Sequence, residues 1–407
     1  MMRAAFVIFG VFLQATSFAD TCSDDDDATT TTKIEGASVK DTYTITKAKF
    51  SDLPGWTDDK LAEALPSFLN SCAKIGELKD TDPMGADGHG GTAKDWRKAC
   101  AAATAVKAGD DKAARAMFEA EFQPWTVAGK KGTEGKLTGF DVQSMHASRK
   151  KHGKFQIPIL GRPTDLVEVD LSTFIKDAHA RRLWGRMNKD GALEPYYTRV
   201  EIRKGALAAQ KLEILYADDP VDVLFAQIEG SAKATMDDGT TVWLEFAGKN
   251  GRSYMGVGGL LKSRGALSKP GSGTMQGIRK WFDDNPGKFD DVIDDDASYV
   301  FFKESKEPGA VGSQKVILTA KRSLAVDRAF IALSTPVFVD TKAPVVGKTG
   351  TVAPWQHLLI AQDTGAGIRG AVRGDVYWGD DKDAEEMGGR MGGPGRYWVL
   401  LPKGVTK

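Results

Sequence analysis

Residues Leu358-Leu-Ile-Ala-Gln-Asp-Thr-Gly-Ala-Gly-Ile-Arg-Gly-Ala-Val-Arg-Gly-Asp-Val-Tyr-Trp-Gly379 begin with an apolar run and finish on a carboxylate beside two aromatics. The run 358–362 has the length and character of a buried strand, and Asp363 stands at its end. A carboxylate so placed, with glycines following, belongs at the rim of a cleft where backbone can come close to a ligand. Tyr377 and Trp378, next to Asp375, suit a carbohydrate, whose apolar ring faces pack on aromatic rings while its hydroxyls take polar partners. Asp363 would hold Asp375 protonated, because two neighbouring anions resist joint ionisation. By residue type alone, both remain compatible with ordinary turn aspartates.

Working outward, short apolar runs recur on both sides of this stretch. Tyr299–Phe302, Val316–Thr319, Thr335–Val339, His357–Gln362 and Tyr397–Leu401 read as strands, and their Gly-containing connections suggest a small closed barrel. Upstream, Lys211–Tyr216, Val221–Ile228, Thr240–Ala247 and Tyr254–Leu261 are strand or short-helix candidates, with Asp237-Asp-Gly239 a hairpin turn. Thr274–Phe282 and Phe289–Ile293 carry helical spacing, with Thr274 as the cap of the first. Two or three helices precede Phe122, and the character changes at Lys136-Leu-Thr-Gly-Phe140. With 407 residues and 45 glycines, the chain is expected to be mainly β and to form two folded units.

Charge and metal-ligand patterns exclude several functions. Lys plus Arg number 55 and Asp plus Glu also 55, so no long-range field draws nucleic acid, and a neutral glycan is the favoured polymer. The five histidines never stand at i, i+4, and no Cys-x-x-Cys occurs, so neither a metal site nor a cofactor is expected. Met1–Ala19, with Arg3, the apolar run Ala4–Leu13 and a small-residue end, reads as a cleaved signal peptide, and 20–33 as an acidic linker. Cys22 follows Ala19-Asp-Thr21 and not Leu-small-small, which leaves a lipid anchor as the second choice. Export favours a disulfide between Cys72 and Cys100, each on a segment of helical spacing; two buried thiols are the alternative.

The stretch Asp363–Gly379 closely resembles the C-terminal signature of the membrane-bound lytic transglycosylase A (murein hydrolase A, MltA) family. Further resemblances follow in chain order: Lys136-Leu-Thr-Gly-Phe140, Thr198-Arg-Val-Glu-Ile202, Phe246-Ala-Gly-Lys-Asn-Gly251 with Tyr254, Tyr299-Val-Phe-Phe302, Arg322-Ser-Leu-Ala-Val-Asp-Arg328 and Gly395-Arg-Tyr-Trp-Val-Leu400. They span roughly 50 to 403. The resemblance implies a double-psi β-barrel catalytic domain of 34–140 plus 305–407, a second β-barrel inserted at 141–304, and a glycan groove between them. It assigns Asp375 as the catalytic acid and base, Asp363 as its supporting carboxylate, and Thr138 as a substrate contact. The chain departs from the pattern at Phe140-Asp-Val142, where the family carries Tyr-Tyr-Glu-Pro, which alters the substrate contact at Phe140. It departs again at Ile228-Glu-Gly-Ser-Ala232, where the family carries Val-Gln-Gly-Ser-Gly.

The implied activity is lytic cleavage of the bond between N-acetylmuramic acid and N-acetylglucosamine in peptidoglycan, leaving 1,6-anhydro ends. A periplasmic location and peripheral outer-membrane association go with it. Two rival readings stay open at this point: a hydrolase in which Asp363 or Asp327 activates water, and a wall-binding module without catalysis.

Overall fold

The computed structural model describes residues 29–32, 41–85, 89–175, 182–267, 272–365 and 367–405; the expected signal peptide and Cys22 lie outside these. The first third contains β1 (Thr29–Thr32), β2 (Tyr43–Lys47), α1 (Leu65–Gly76), α2 (Ala93–Thr104), α3 (Asp111–Glu121), β3 (Phe122–Ala128) and β4 (Gly135–Phe140). Part of the segment read as a linker is therefore a strand, with Thr29–Thr32 paired antiparallel to β2. Threonine is β-branched and β2 offers an open edge, which together outweigh the polar composition. Thr92 and Asp95 cap α2 reciprocally, and Asp110 caps α3 through the Ala113 amide. A disulfide joins Cys72 on α1 to Cys100 on α2.

The middle third contains β5 (Gln143–Ser148), β6 (Ile157–Leu160), β7 (Val167–Asp170), β8 (Arg182–Met187), β9 (Leu193–Pro195), α4 (Arg199–Arg203), β10 (Glu213–Ala217), α5 (Pro220–Glu229), β11 (Ser231–Met236), β12 (Thr241–Lys249), α6 (Val257–Ser263), α7 (Met275–Asp284) and α8 (Phe289–Ile293). The last third contains β13 (Val300–Glu304), β14 (Ser323–Val326), β15 (Pro336–Val345), β16 (Lys348–Asp363), β17 (Arg373–Tyr377), α9 (Lys382–Arg390) and β18 (Gly392–Pro402). Val221–Ile228 is helical despite its β-branched residues. Asp219 caps the segment, Pro220 starts it, and Gly230 ends it in the left-handed conformation. Val316–Thr319, which reads as a strand, makes only the isolated bridge Val311 to Ile317 and is otherwise irregular.

Two barrels organise these strands. In the first, the order β18-β15-β16-β14-β17-β4 closes on itself through the β18–β4 pairing, and two of its neighbouring pairs, β14–β16 and β17–β4, are parallel. Its interior holds Leu137, Leu324, Val337, Leu359, Val376 and Val399, each at most 1% exposed. Gly139 allows β4 into this ring, since a Cβ there would stand 2.5 Å from the Trp378 indole nitrogen. The second barrel runs β13-β12-β11-β5-β10-β6 and is nearly closed by the parallel bridge between Gly161 and Phe302. The chain passes between the barrels at 140–143 and returns after β13.

A buried ion pair ties the N-terminal segment to the first barrel. Arg322 and Asp59 have side chains 3% and 0% exposed and meet through two bonds of 3.0 and 2.9 Å. Asp59 also receives the Leu358 amide at 2.7 Å and His357 Nδ1 at 2.8 Å, while Arg322 reaches the carbonyls of Leu358 and Lys60. Burial alone would raise the pKa of Asp59, but the His357, Arg322 and Leu358 bonds outweigh it and hold the carboxyl below its ordinary value. Its stabilising contribution is complete above the ordinary carboxylate range and is lost as pH falls through the lowered value. Asp59→Ala leaves the buried Arg322 guanidinium with only the exposed Glu63 carboxylate as an ion-pair partner, so unfolding in urea at neutral pH should show a loss of about 3–5 kcal/mol. A loss below about 1 kcal/mol, as for a surface pair, would refute the assignment.

Candidate active site

Strand register brings distant residues into one row on the outer face of the first barrel. Ala325 of β14 is opposite both Asp363 of β16 and Asp375 of β17; Asp375 is opposite Thr138 of β4; and Thr138 is opposite Gly392 of β18. Directly opposed residues project to the same face, and adjacent strands lie ~4.8 Å apart, so the two carboxylates stand on Cα atoms separated by roughly 10 Å. The β14–β16 ladder skips Gln362, and this irregularity turns Asp363 outward. Gln362 itself is fully buried. Its Oε1 accepts from Ser67 and Ser323, and its Nε2 donates to the Ser67 carbonyl and to Ser71 of α1. Helix α1 thus anchors the residue that aims Asp363.

The two carboxylates have different partners. Thr138 donates to Asp375 Oδ1 at 2.5 Å, and Ser313 gives both its amide and its hydroxyl to Asp363 Oδ1, at 2.8 and 2.6 Å. Both are half-buried. Burial pushes Asp375 up to about 6, helped by the charge of Asp363 and opposed by Arg373, Thr138 and Lys136. Burial also raises Asp363, against the Ser313 bonds. A carboxyl that retains its proton into mildly acidic solution beside a second acid is equipped for general acid–base work.

The aromatics singled out in the sequence divide between faces. Phe140 and Tyr377, whose ring centres lie 5.3 Å apart, pack outside the barrel with Val142, Ala325 and Ile368, on the face that carries Asp375. Trp378 is not brought there. The residue following Tyr377 turns inward, where Trp378 is 3% exposed and packs against Trp355 and Met391, so the stacking role expected of it finds no open face. Asp327, the alternative base, is 6% exposed and receives the amides of Gly370 and Ala329.

Sequence reasoning missed two further carboxyl groups with raised pKa values and a phenol that senses one of them. Burial and the Glu385 charge push Asp141 up to about 7. Burial and the charges of Asp141, Asp375 and Asp363 raise Glu229, at the end of α5, well above its ordinary value. Tyr254, 39% exposed, is raised to about 12 by burial, Asp296 and Glu229. The only signal for the two acids was their presence at positions where the resembled pattern has other residues; nothing local indicated that they would meet.

Residues 136–303 match the family model described as the MltA specific insert domain, and residues 322–401 match the 3D domain. The lytic transglycosylase LtgG of Burkholderia pseudomallei is 32% identical, with 88% of this chain and 95% of that chain covered and a TM-score of 0.56. The chain belongs to the MltA family. A membrane-bound lytic murein transglycosylase from Agrobacterium tumefaciens is 28% identical, with 88% of this chain and 98% of that one covered and a TM-score of 0.75. Membrane-bound lytic murein transglycosylase A of Vibrio cholerae is 31% identical over 205 residues, which is 50% of this chain; the chain spans about half of that relative's length, 55%. On the MltA frame, the insert-domain match contains Thr138, Asp141 and Glu229, and the 3D match contains Asp363 and Asp375.

Because the Thr138 hydroxyl favours the ionised form of Asp375, Thr138→Val should move Asp375 upward from about 6, by roughly half a unit to one unit. Valine keeps the β-branched shape. Carbon-13 NMR titration of the Asp375 carboxyl measures this, and an unchanged or lowered midpoint would contradict it.

Proposed function

We propose that the protein is a peptidoglycan lytic transglycosylase that cleaves the β-1,4 bond between N-acetylmuramic acid and N-acetylglucosamine, with Asp375 as both acid and base. One observation carries this reading: Asp375, pushed up to about 6, lies in a row with Asp363 and Thr138 on one face of a closed barrel. The names of the relatives support the same chemistry. The partition into 34–140 plus 305–407 and an inserted 141–304 is supported by the two strand rings.

In the mechanism, protonated Asp375 gives its proton to the bridging oxygen as the glycosidic bond breaks. The carboxylate then takes the proton of the muramoyl C6 hydroxyl, whose oxygen closes on the anomeric carbon and forms the 1,6-anhydro ring. No water is consumed, and Asp375 is again protonated. One acid suffices because the sugar supplies its own nucleophile, whereas a hydrolase requires a second carboxylate to activate water. Asp363 sustains the proton on Asp375 before cleavage and offsets positive charge on the sugar during it. Thr138 orients the carboxyl and contacts substrate, while Phe140 and Tyr377 form the wall behind it. Trp378 supports that wall from inside the barrel.

Export by the segment 1–19, followed by residence in the periplasm at the outer membrane, completes the reading. The membrane-bound relatives support an envelope location, and no helix among the described residues is long and apolar enough to cross a membrane.

Mass spectrometry of muropeptides released from purified sacculi tests residue and chemistry together. Wild type should yield anhydro ends, and Asp375→Asn should lose about 10²–10⁴-fold in rate. The kcat/KM of wild type should fall as pH rises through about 6, as the acid deprotonates. Reducing ends would indicate the hydrolase, and sacculus binding without any release would indicate the wall-binding module.

A further inference from the structure

The chain between β13 and β14 folds back over the end of β16. Val311 and Ile317 form an isolated bridge, and the residues between them turn, with the Gly312 amide donating to the Val316 carbonyl at 3.0 Å and the Lys315 amide to the Gly312 carbonyl at 2.8 Å. This turn lies directly on the strand end. A Cβ at Gly312 would stand 2.6 Å from the Gln362 carbonyl oxygen, and the Gln314 amide donates to that same oxygen at 3.1 Å. The Gln314 side chain holds the turn at two further points, accepting from Ser71 of α1 at 2.8 Å and donating to Ser334 at 2.5 Å. Between Gly312 and Gln314 stands Ser313, whose amide and hydroxyl both reach Asp363 Oδ1, at 2.8 and 2.6 Å.

The two carboxyls of the row are therefore held unequally. Asp363 accepts two hydrogen bonds from one residue, and Asp375 accepts one, from Thr138. N–H and O–H donors favour an ionised carboxylate over a neutral one, so Ser313 draws the negative charge to Asp363. Lys315, two residues on, acts in the same direction. The Asp363 charge raises Asp375 across the row, while Arg373 and Lys136 oppose it. Glu229, at the end of α5, senses the Asp363 charge as well. Burial raises both aspartates, so the pair does not readily lose both protons, and the member with more donors ionises first.

We propose that Ser313 is a positioning residue for the reaction: it holds Asp363 charged and in place, and so assigns the catalytic proton to Asp375. The proposal rests on the transglycosylase reading given above. The working form of the site is then ionised Asp363 beside protonated Asp375. Its population is bounded on the alkaline side by loss of the Asp375 proton and on the acid side by protonation of Asp363. Ser313 governs the acid boundary. Its neighbour Gln314 is bonded to Ser71 of α1, the helix that also anchors Gln362, so one helix, through two glutamines, places both the Asp363 carboxylate and its donor.

The test compares the full chain as wild type, Ser313→Ala and Ser313→Thr, with thermal unfolding to check that each variant folds. Alanine removes the hydroxyl bond and keeps the amide bond, whereas threonine keeps both. In carbon-13 NMR titrations the Asp363 midpoint should rise by about half a unit to one unit in Ser313→Ala, which narrows its separation from Asp375. On sacculi the acid limb of the kcat/KM profile should move up with it, so that the rate below that limb falls about three- to tenfold while the alkaline limb keeps its place. Ser313→Gly, a second variant without the hydroxyl, should match Ser313→Ala, and Ser313→Thr should stay close to wild type. An unmoved Asp363 midpoint, or a loss of rate equal at every pH, overturns the proposal. A shifted midpoint in a protein that releases no anhydro product rejects the transglycosylase reading alone, and an unshifted one in a protein that does release it rejects the role of Ser313 alone.

Discussion

The structure depends on the closure of one β-sheet by a strand from a distant part of the chain. Strand β4 inserts between β17 and β18, pairing parallel with the first and antiparallel with the second, and so leaves the ring without an edge. A closed ring satisfies backbone donors and acceptors that an open edge would expose, and it permits little slippage, because a one-residue shift would reverse every side chain. This closure sets Thr138 opposite Asp375. The site is therefore a consequence of the ring's register.

Two polar clusters brace the ring from the N-terminal side. The Arg322–Asp59 pair holds the entry to β14 against β16, and the Gln362 amide, bonded to Ser67, Ser71 and Ser323, holds the far end of β16 against α1. Buried polar groups with all their partners define geometry more narrowly than apolar packing does, because leaving any one of them unpaired carries a large penalty. Each cluster acts on a strand that carries part of the active-site row.

The second barrel contributes electrostatics. Its Glu229 senses the charges of Asp375 and Asp363, and of Asp141 on the crossover at 140–143. Asp375 lies between the cations Arg373 and Lys136 and the anion Asp363, all from the first barrel, within surroundings that exclude much of the water that would otherwise screen them.

Much of the architecture was legible in the sequence. The apolar runs at 335–339, 357–362 and 397–401, the Asp237-Asp-Gly239 turn and the Thr274 cap each have a local cause, and the structure has strands, a hairpin and a helix there. Asp363 at a strand end was legible in the same way. Local pattern was insufficient where neighbours distant in the chain decide: Thr29–Thr32 became a strand through the edge of β2, Val316–Thr319 stayed irregular beside the Asp363 partner Ser313, and Trp378 faced inward by strand alternation. The sequence by itself determined a mainly β protein with a carboxylate-bearing C-terminal stretch, because strand, turn and capping preferences act over a few residues. Only the tertiary structure decided that Asp363, Asp375, Thr138, Asp141 and Glu229 share one cleft, because register and barrel closure join residues more than a hundred positions apart, and burial and charge at that junction govern where each proton resides.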